Sequence, residues 1–230
     1  MGRQLSIGNP PIAIELRRST RARRLSLRVS KLDGRVSLTM PERGKVEEAL
    51  AFLDEREGWL RKHLADVAPA QAVVIGGTIP LFGQEVPISA GSGRRAEFRG
   101  GEILVPPPTD KVAARIKALL KLHARDALAE ASDRYAAQLG QRYERLSLRD
   151  TRSRWGSCSS AGVLMYSWRL VMAPPDVLDY VAAHEVAHLV EMNHSPAFWQ
   201  IVAGLMPDYQ VHRNWLRENG DRLHRVQFGN

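Results

Sequence analysis

Residues 175–190 constrain this chain more than any other stretch. Val177, Leu178, Val181, Ala182, Ala183, Val186, Ala187, Leu189 and Val190 make the segment almost wholly apolar, which predicts a helix buried in a core. Within it stand His184, Glu185 and His188. Two imidazoles and a carboxylate inside a core are costly unless they are paired or bind an ion. Positions i and i+4 share a helix face, so His184 and His188 can offer two nitrogens to one ion. His194, six residues on, is placed to return as a third ligand after the helix ends. Three nitrogen ligands leave a fourth position for water, which is the layout of a catalytic zinc site rather than a structural one. Glu185, one residue round the helix, would take a proton from that water. With 7 His in 230 residues, chance alone yields roughly 0.01 His-Glu-x-x-His matches.

The chain ahead of this segment reads as smaller elements. Residues 1–11 are polar and end in Pro10-Pro11, which predicts a loose arm. Residues 12–16 alternate as a strand. Residues 25–29 and 35–39 alternate around Asp33-Gly34, a hairpin signal. Residues 46–64 predict one amphipathic helix through Val46, Leu50, Leu53, Trp59, Leu60 and Leu64. Short β-type runs follow at 72–75, 78–82, 84–89, 96–99 and 102–105, separated by Gly pairs. Pro106-Pro107-Pro108 marks a boundary, so residues 12–105 are read as a β-rich accessory unit with one helix, and 109–230 as the catalytic domain. Residues 109–139 predict a long helix with Gly140 just past its end. His123 lies on the flank of that helix's buried stripe.

Residues 146–149, 152–157 and 163–170 read as strands, the last two forming a hairpin through the turn at 159–162. Pro175 suits the first turn of the site helix and Asp176 its positive end. Asn193 in a left-handed conformation would turn the chain to aim His194 back at the ion. Ser195-Pro196 starts the next helix. A last helix runs from near Pro207 to Asn219, with Gly220 ending it. The fold class expected is α+β.

Arg154-Trp155-Gly156-Ser157-Cys158, Trp168-Arg169-Leu170, Ala173-Pro174, His184-Glu185-x-x-His188, Asn193-His194-Ser195 and Phe198-Trp199 occur in that order. Together they resemble the YgjP-like metallopeptidase family, a zincin group related to SprT-like domains. The resemblance implies a zincin-like domain of long helix, small sheet, metal helix and C-terminal helices. It implies a zinc-dependent hydrolase with His184, His188 and His194 as ligands and Glu185 as general base. It also places the segment at 154–158 near the ion. Three histidines suit Zn2+ best, although nickel, cobalt or iron would also bind.

Several flanking residues have two readings. Trp155 is either a core aromatic or part of the site. Arg154 requires an ion pair or a substrate contact. Cys158 reads as a small packing residue rather than a ligand or nucleophile. Tyr209 and His212 could each donate to a developing oxyanion, with packing as the ordinary alternative.

The substrate class stays open. Peptide-bond hydrolysis is the first expectation, with a peptide or protein as substrate. The net charge of +8 suits an acidic partner, either nucleic acid or a nucleotide, or simply describes a basic enzyme. Hydrolysis of a nucleotide phosphoanhydride is therefore a second reading. A nucleic-acid-binding module with a structural metal is a third, with Arg17, Arg18, Arg21, Arg23 and Arg24 as its densest basic cluster. The lone Cys158 excludes an internal disulfide. No span of ~18 apolar residues and no leader pattern is present, so no membrane partner is expected and the cytoplasm is the expected location.

Overall fold

The structure is a computed structural model that describes residues 3–30, 33–65, 67, 69 and 71–229. The chain divides into two compact units, Met1–Ala70 and Gln71–Asn230.

In the first unit, β1 (Arg3–Ile7), β2 (Ile12–Ser19), β3 (Ser26–Val29) and β4 (Val36–Pro41) form one sheet in the order β1-β2-β4-β3. Strict alternation puts Ile12, Ile14, Leu16, Val36, Leu38 and Met40 on one buried face. That face shares a core with Ala49 and Leu53 of α1 (Val46–Glu55) and Leu60 of α2 (Glu57–Ala65). Two expectations change here. The loose arm is instead strand β1 over its described residues, held because Ile7 is buried and Gly8 turns the chain at φ 71°. The single helix is broken at Arg56, whose N–H closes on the Leu53 carbonyl at 3.0 Å. The break leaves Leu53 and Leu60 fully buried and Trp59 39% exposed, its ring 4.0 Å from that of His63 and tilted to it. The β3–β4 hairpin forms as its turn signal requires, with Gly34 at φ 67°.

The second unit begins earlier than the three prolines suggested. β5 (Gln71–Ala72), β6 (Thr78–Leu81), β7 (Gln84–Ala90), β8 (Glu97–Arg99) and β9 (Glu102–Val105) belong to it. Ile79, Leu81, Val86, Ile88, Ile103 and Val105 lie in the same buried cluster as Val112, Ile116 and Leu120 of α3 (Val112–Gln138). The prolines therefore mark a strand-to-helix corner inside one core, not a domain boundary. The tip of the β6–β7 hairpin docks on the segment leading to the site helix. Phe82 N–H donates to the Val171 carbonyl at 2.8 Å, and a Cβ on Gly83 would lie 2.9 Å from Pro174 Cα.

α3 ends as expected. Gly140 N–H donates to Ala137 O and Gln141 N–H to Ala136 O, a pair of bonds that closes the helix with glycine at φ 62°. β10 (Arg145–Arg149), β11 (Gly156–Cys158) and β12 (Val163–Ser167) then form a small sheet in the order β10-β12-β11, so β11 is an edge. The expected third strand stops at Ser167 and Trp168–Met172 is a 3-10 turn. Next come α4 (Pro175–Ala187), α5 (Pro196–Leu205), α6 (Tyr209–Arg225) and β13 (Val226–Gln227), which pairs with β5.

Gly220 does not end the last helix. It is buried within α6, where a Cβ would lie 2.9 Å from Trp155 Cζ2. The missing side chain is what lets the indole lie against the helix. The fold is a mixed α+β structure, and among the described residues no helix is long and apolar enough to cross a membrane.

Candidate metal centre

Helix α4 starts on Pro175 at its first turn with Asp176 beside it. Its interior is as apolar as the sequence requires, with Val181, Ala182, Ala183, Val186 and Ala187 all buried. Helical backbone stops at Ala187, and His188 occupies the cap position at φ −66°. The rings of His184 and His188 are 5.0 Å apart on the shared face.

The chain then turns tightly, and not by the route expected. Among the described non-glycine residues, Phe82 alone has positive φ, so Asn193 is not left-handed. Glu191 holds the turn instead. Its Oε1 accepts the Asn193 N–H at 3.2 Å, and its carbonyl oxygen pairs with His188 Nδ1 at 3.0 Å. Ser195 then caps α5, its hydroxyl accepting the Phe198 N–H at 3.3 Å. His194 stands in the short link between the two helices.

The result is a cluster of three imidazoles whose ligand atoms all lie within 4.8 Å of one another. His184 Nε2 and His194 Nε2 face each other at 3.0 Å. Two bare ring nitrogens cannot face each other at that distance without a proton or a cation between them. The bond from His188 Nδ1–H to the Glu191 carbonyl leaves Nε2 of that ring with its lone pair free, the usual arrangement around a metal-binding histidine. Burial first, and then the neighbouring imidazoles, lower His184 to about 3, so its ring is neutral at ordinary pH, as a ligand must be. Its Nδ1 is buried without a hydrogen-bond partner. Phe198, fully buried, lies 4.4–4.9 Å from the centroids of all three rings and forms a dry floor. The donor set fits a divalent ion.

Glu185 is only 5% exposed and turns toward β11. A Cβ on Gly156 would sit 2.5 Å from Glu185 Oε1, so only glycine permits this approach. Burial raises the carboxyl to about 8, opposed by the Arg154 charge and by a hydrogen bond from the Cys158 backbone N–H. Burial, and then the Glu185 charge, push the Cys158 thiol up to about 11. A thiol that holds its proton so firmly is a poor ligand or nucleophile.

A cavity of about 390 Å³ opens beside these groups. Arg154, Trp155, His184 and Glu185 line it, as do Tyr180 from α4 and Arg213, Leu216 and Arg217 from α6. Trp155 combines its two readings: it lines the cavity while its ring stacks on His224 at 4.8 Å. Tyr209 stacks on Trp199 at 5.3 Å and is not among the lining residues. His212 Nε2 lies 3.2 Å from Asp208 Oδ2, also away from the cavity lining. Sequence reasoning overlooked Tyr180 and Arg213, Leu216 and Arg217. The signals were there: Tyr180 is one turn before His184, and the other three stand at i, i+3 and i+4. Outside the cavity, His123 flanks the α3 core with its ring 5.7 Å from Phe82. In the first unit, Arg17 is paired with Glu15, and Arg18 donates to the Glu42 and Gly44 carbonyls.

Residues 23–219 match the model of the YgjP-like metallopeptidase domain. The chain belongs to the YgjP-like metallopeptidase family. Membership in that family supports a metal-dependent peptidase and so a hydrolase, and the three histidines are close enough together to bind the ion it implies. Among solved structures, the metallopeptidase zymogen abylysin of Pyrococcus abyssi is similar to part of this YgjP-like chain. It aligns at 19% identity with a TM-score of 0.37, covering 44% of this chain and 98% of its own. No curated protein sequence matches.

Proposed function

We propose that this protein is a zinc-dependent peptidase of zincin-like layout, with His184, His188 and His194 holding the ion and Glu185 acting as general base. One observation carries the reading: three imidazoles converge beside the buried Glu185 carboxyl, and His184 and Glu185 together line the wall of an open cavity. A bound divalent ion would polarise a carbonyl and make a nearby water acidic. Everything else falls to the chain's own side chains. Gly156 and the Cys158 N–H hold the Glu185 carboxylate against β11. Burial gives it a proton affinity near neutrality, so it can accept a proton from water and pass it on to a leaving amine. β11 is an edge of its sheet and brings Gly156 to the cavity wall, where an extended peptide would pass.

A second reading, hydrolysis of a nucleotide phosphoanhydride, draws support from the three arginines lining the cavity. A purely structural metal gives no reason to hold Glu185 at the cavity wall.

The test is elemental analysis of the purified protein together with peptide hydrolysis before and after chelation. About one zinc per chain is expected, with hydrolysis lost on chelation and restored by zinc. Peptide hydrolysis that survives complete metal removal would overturn the proposal.

A further inference from the structure

The cavity is lined in a way that peptide hydrolysis alone does not require. Arg154 comes from the loop before β11, and Arg213 and Arg217 from α6, yet all three line one space. Glu185 is the only carboxylate among the lining residues. Among the described residues none of the three arginines forms an ion pair, whereas Arg17, Arg61, Arg134 and Arg169 all do. Arg213 and Arg217 stand at i and i+4 on one helix, where like charges repel.

Arg213 is also held in place. Its guanidinium lies 4.7 Å over the centroid of the Trp199 ring. A cation–π contact fixes the group without using its N–H donors, so its planar fork remains free for a two-point contact with carboxylate or phosphate. Trp155 and Leu216 supply apolar surface between the charges. Convergent, unpaired guanidiniums around an apolar patch are complementary to an anion that arrives with the substrate.

Resting on the peptidase reading, we infer that Arg154, Arg213 and Arg217 form a subsite for an anionic group of the substrate next to the bond that is cut. That group is a carboxylate of an acidic peptide or the phosphate chain of a nucleotide. The two share one chemistry, and the test separates them.

Binding is measured by fluorescence anisotropy on the full-length Glu185→Gln chain. The probes are labelled peptides of equal length carrying Asp, Asn or Lys, with inorganic triphosphate as competitor and the ion content rechecked afterwards. The Asp peptide should bind about tenfold tighter than the Asn peptide, with the gap closing as salt rises. Arg154→Gln, Arg213→Gln and Arg217→Gln together should erase the gap while leaving the unfolding midpoint in place, since all three side chains are exposed. Triphosphate that displaces the Asp peptide at lower concentration than unlabelled Asp peptide identifies phosphate as the anion. The reverse order identifies carboxylate.

Equal binding of the three peptides, or an Asp preference that survives the triple change, would overturn the subsite. Wild-type cleavage keeps the two proposals apart. Cleavage indifferent to charge removes the subsite and leaves the peptidase. Charge-selective binding without cleavage of any peptide removes the peptidase and leaves the subsite.

Discussion

The two units of this chain bury different things. The core of Met1–Ala70 is Ile, Leu, Val, Met and Ala, and its ion pairs, such as Arg17 with Glu15, lie at the surface. In Gln71–Asn230 the core also contains Ser132, Ser167, Arg169, Glu185 and His188, and every buried polar or charged residue among the described ones lies there. Burying such groups is expensive, so each should be either satisfied or used. Ser132 is satisfied by Tyr166 at 3.0 Å. Arg169 is satisfied by Asp150 and by the Leu223 and Val226 carbonyls. Glu185 and His188 are satisfied only in part, and they belong to the cavity wall and the histidine cluster. Ser167 Oγ has no partner and does not line the cavity; the contrast therefore lies between Ser132 and Arg169, which hold the fold, and Glu185 and His188, which are available for chemistry.

In rate, the first way to break this contrast is at Gly156. Gly156→Ala must displace the Glu185 carboxylate. A shift of about 1 Å in a reacting group costs roughly 10²-fold in rate. Peptide hydrolysis should fall by about that factor with metal content unchanged; unaltered turnover would mean that Glu185 is not held as described.

Next come the two kinds of ion pair. Arg169→Leu leaves Asp150 and two carbonyls without their partner, which should cost about 3–5 kcal/mol and show as a large fall in the unfolding midpoint. Arg17→Ala, removing an exposed pair, should leave the midpoint unmoved. Equal shifts in the two variants would erase the distinction drawn above.

The smallest effect concerns pH. Burial, and then the nearby Arg169 charge, lower His224 from 6.5 to about 4. The unfolded chain takes up this proton below pH 6.5 and the folded chain only near pH 4, so stability is lost as pH falls through that window. Allowing for partial solvent exposure, the loss is on the order of 2 kcal/mol. His224→Gln should flatten that part of the acid limb of stability against pH, and an unchanged limb would remove His224 as its source.

How much of this was legible in the sequence depends on what each residue is read against. His184, Glu185 and His188 stand out because their helix is otherwise apolar, and His194 because only a short link separates it from them. The arginines of α6 did not stand out, since an exposed basic residue on a helix looks like a solvated face until a second element is seen to bring Arg154 to the same space. Gly220 looked like a helix end because the Trp155 ring that explains it is distant in sequence. Pro106–Pro108 looked like a boundary because nothing local shows that Ile103 and Val105 share a core with Ile116. Asn193 was given a turn that Glu191 performs with its side chain and carbonyl. Local chemistry could be read directly, whereas long-range packing could not.

The central claim is that Glu185 moves the proton at a site the three histidines hold together. Glu185→Gln keeps the shape of the side chain and removes its basicity, so metal content and peptide hydrolysis measured together on that variant test the claim most directly. The account predicts a full complement of metal, an unchanged unfolding midpoint or a higher one, and hydrolysis reduced by about 10²–10⁴-fold. Turnover close to that of the wild type, with the metal in place, would contradict it.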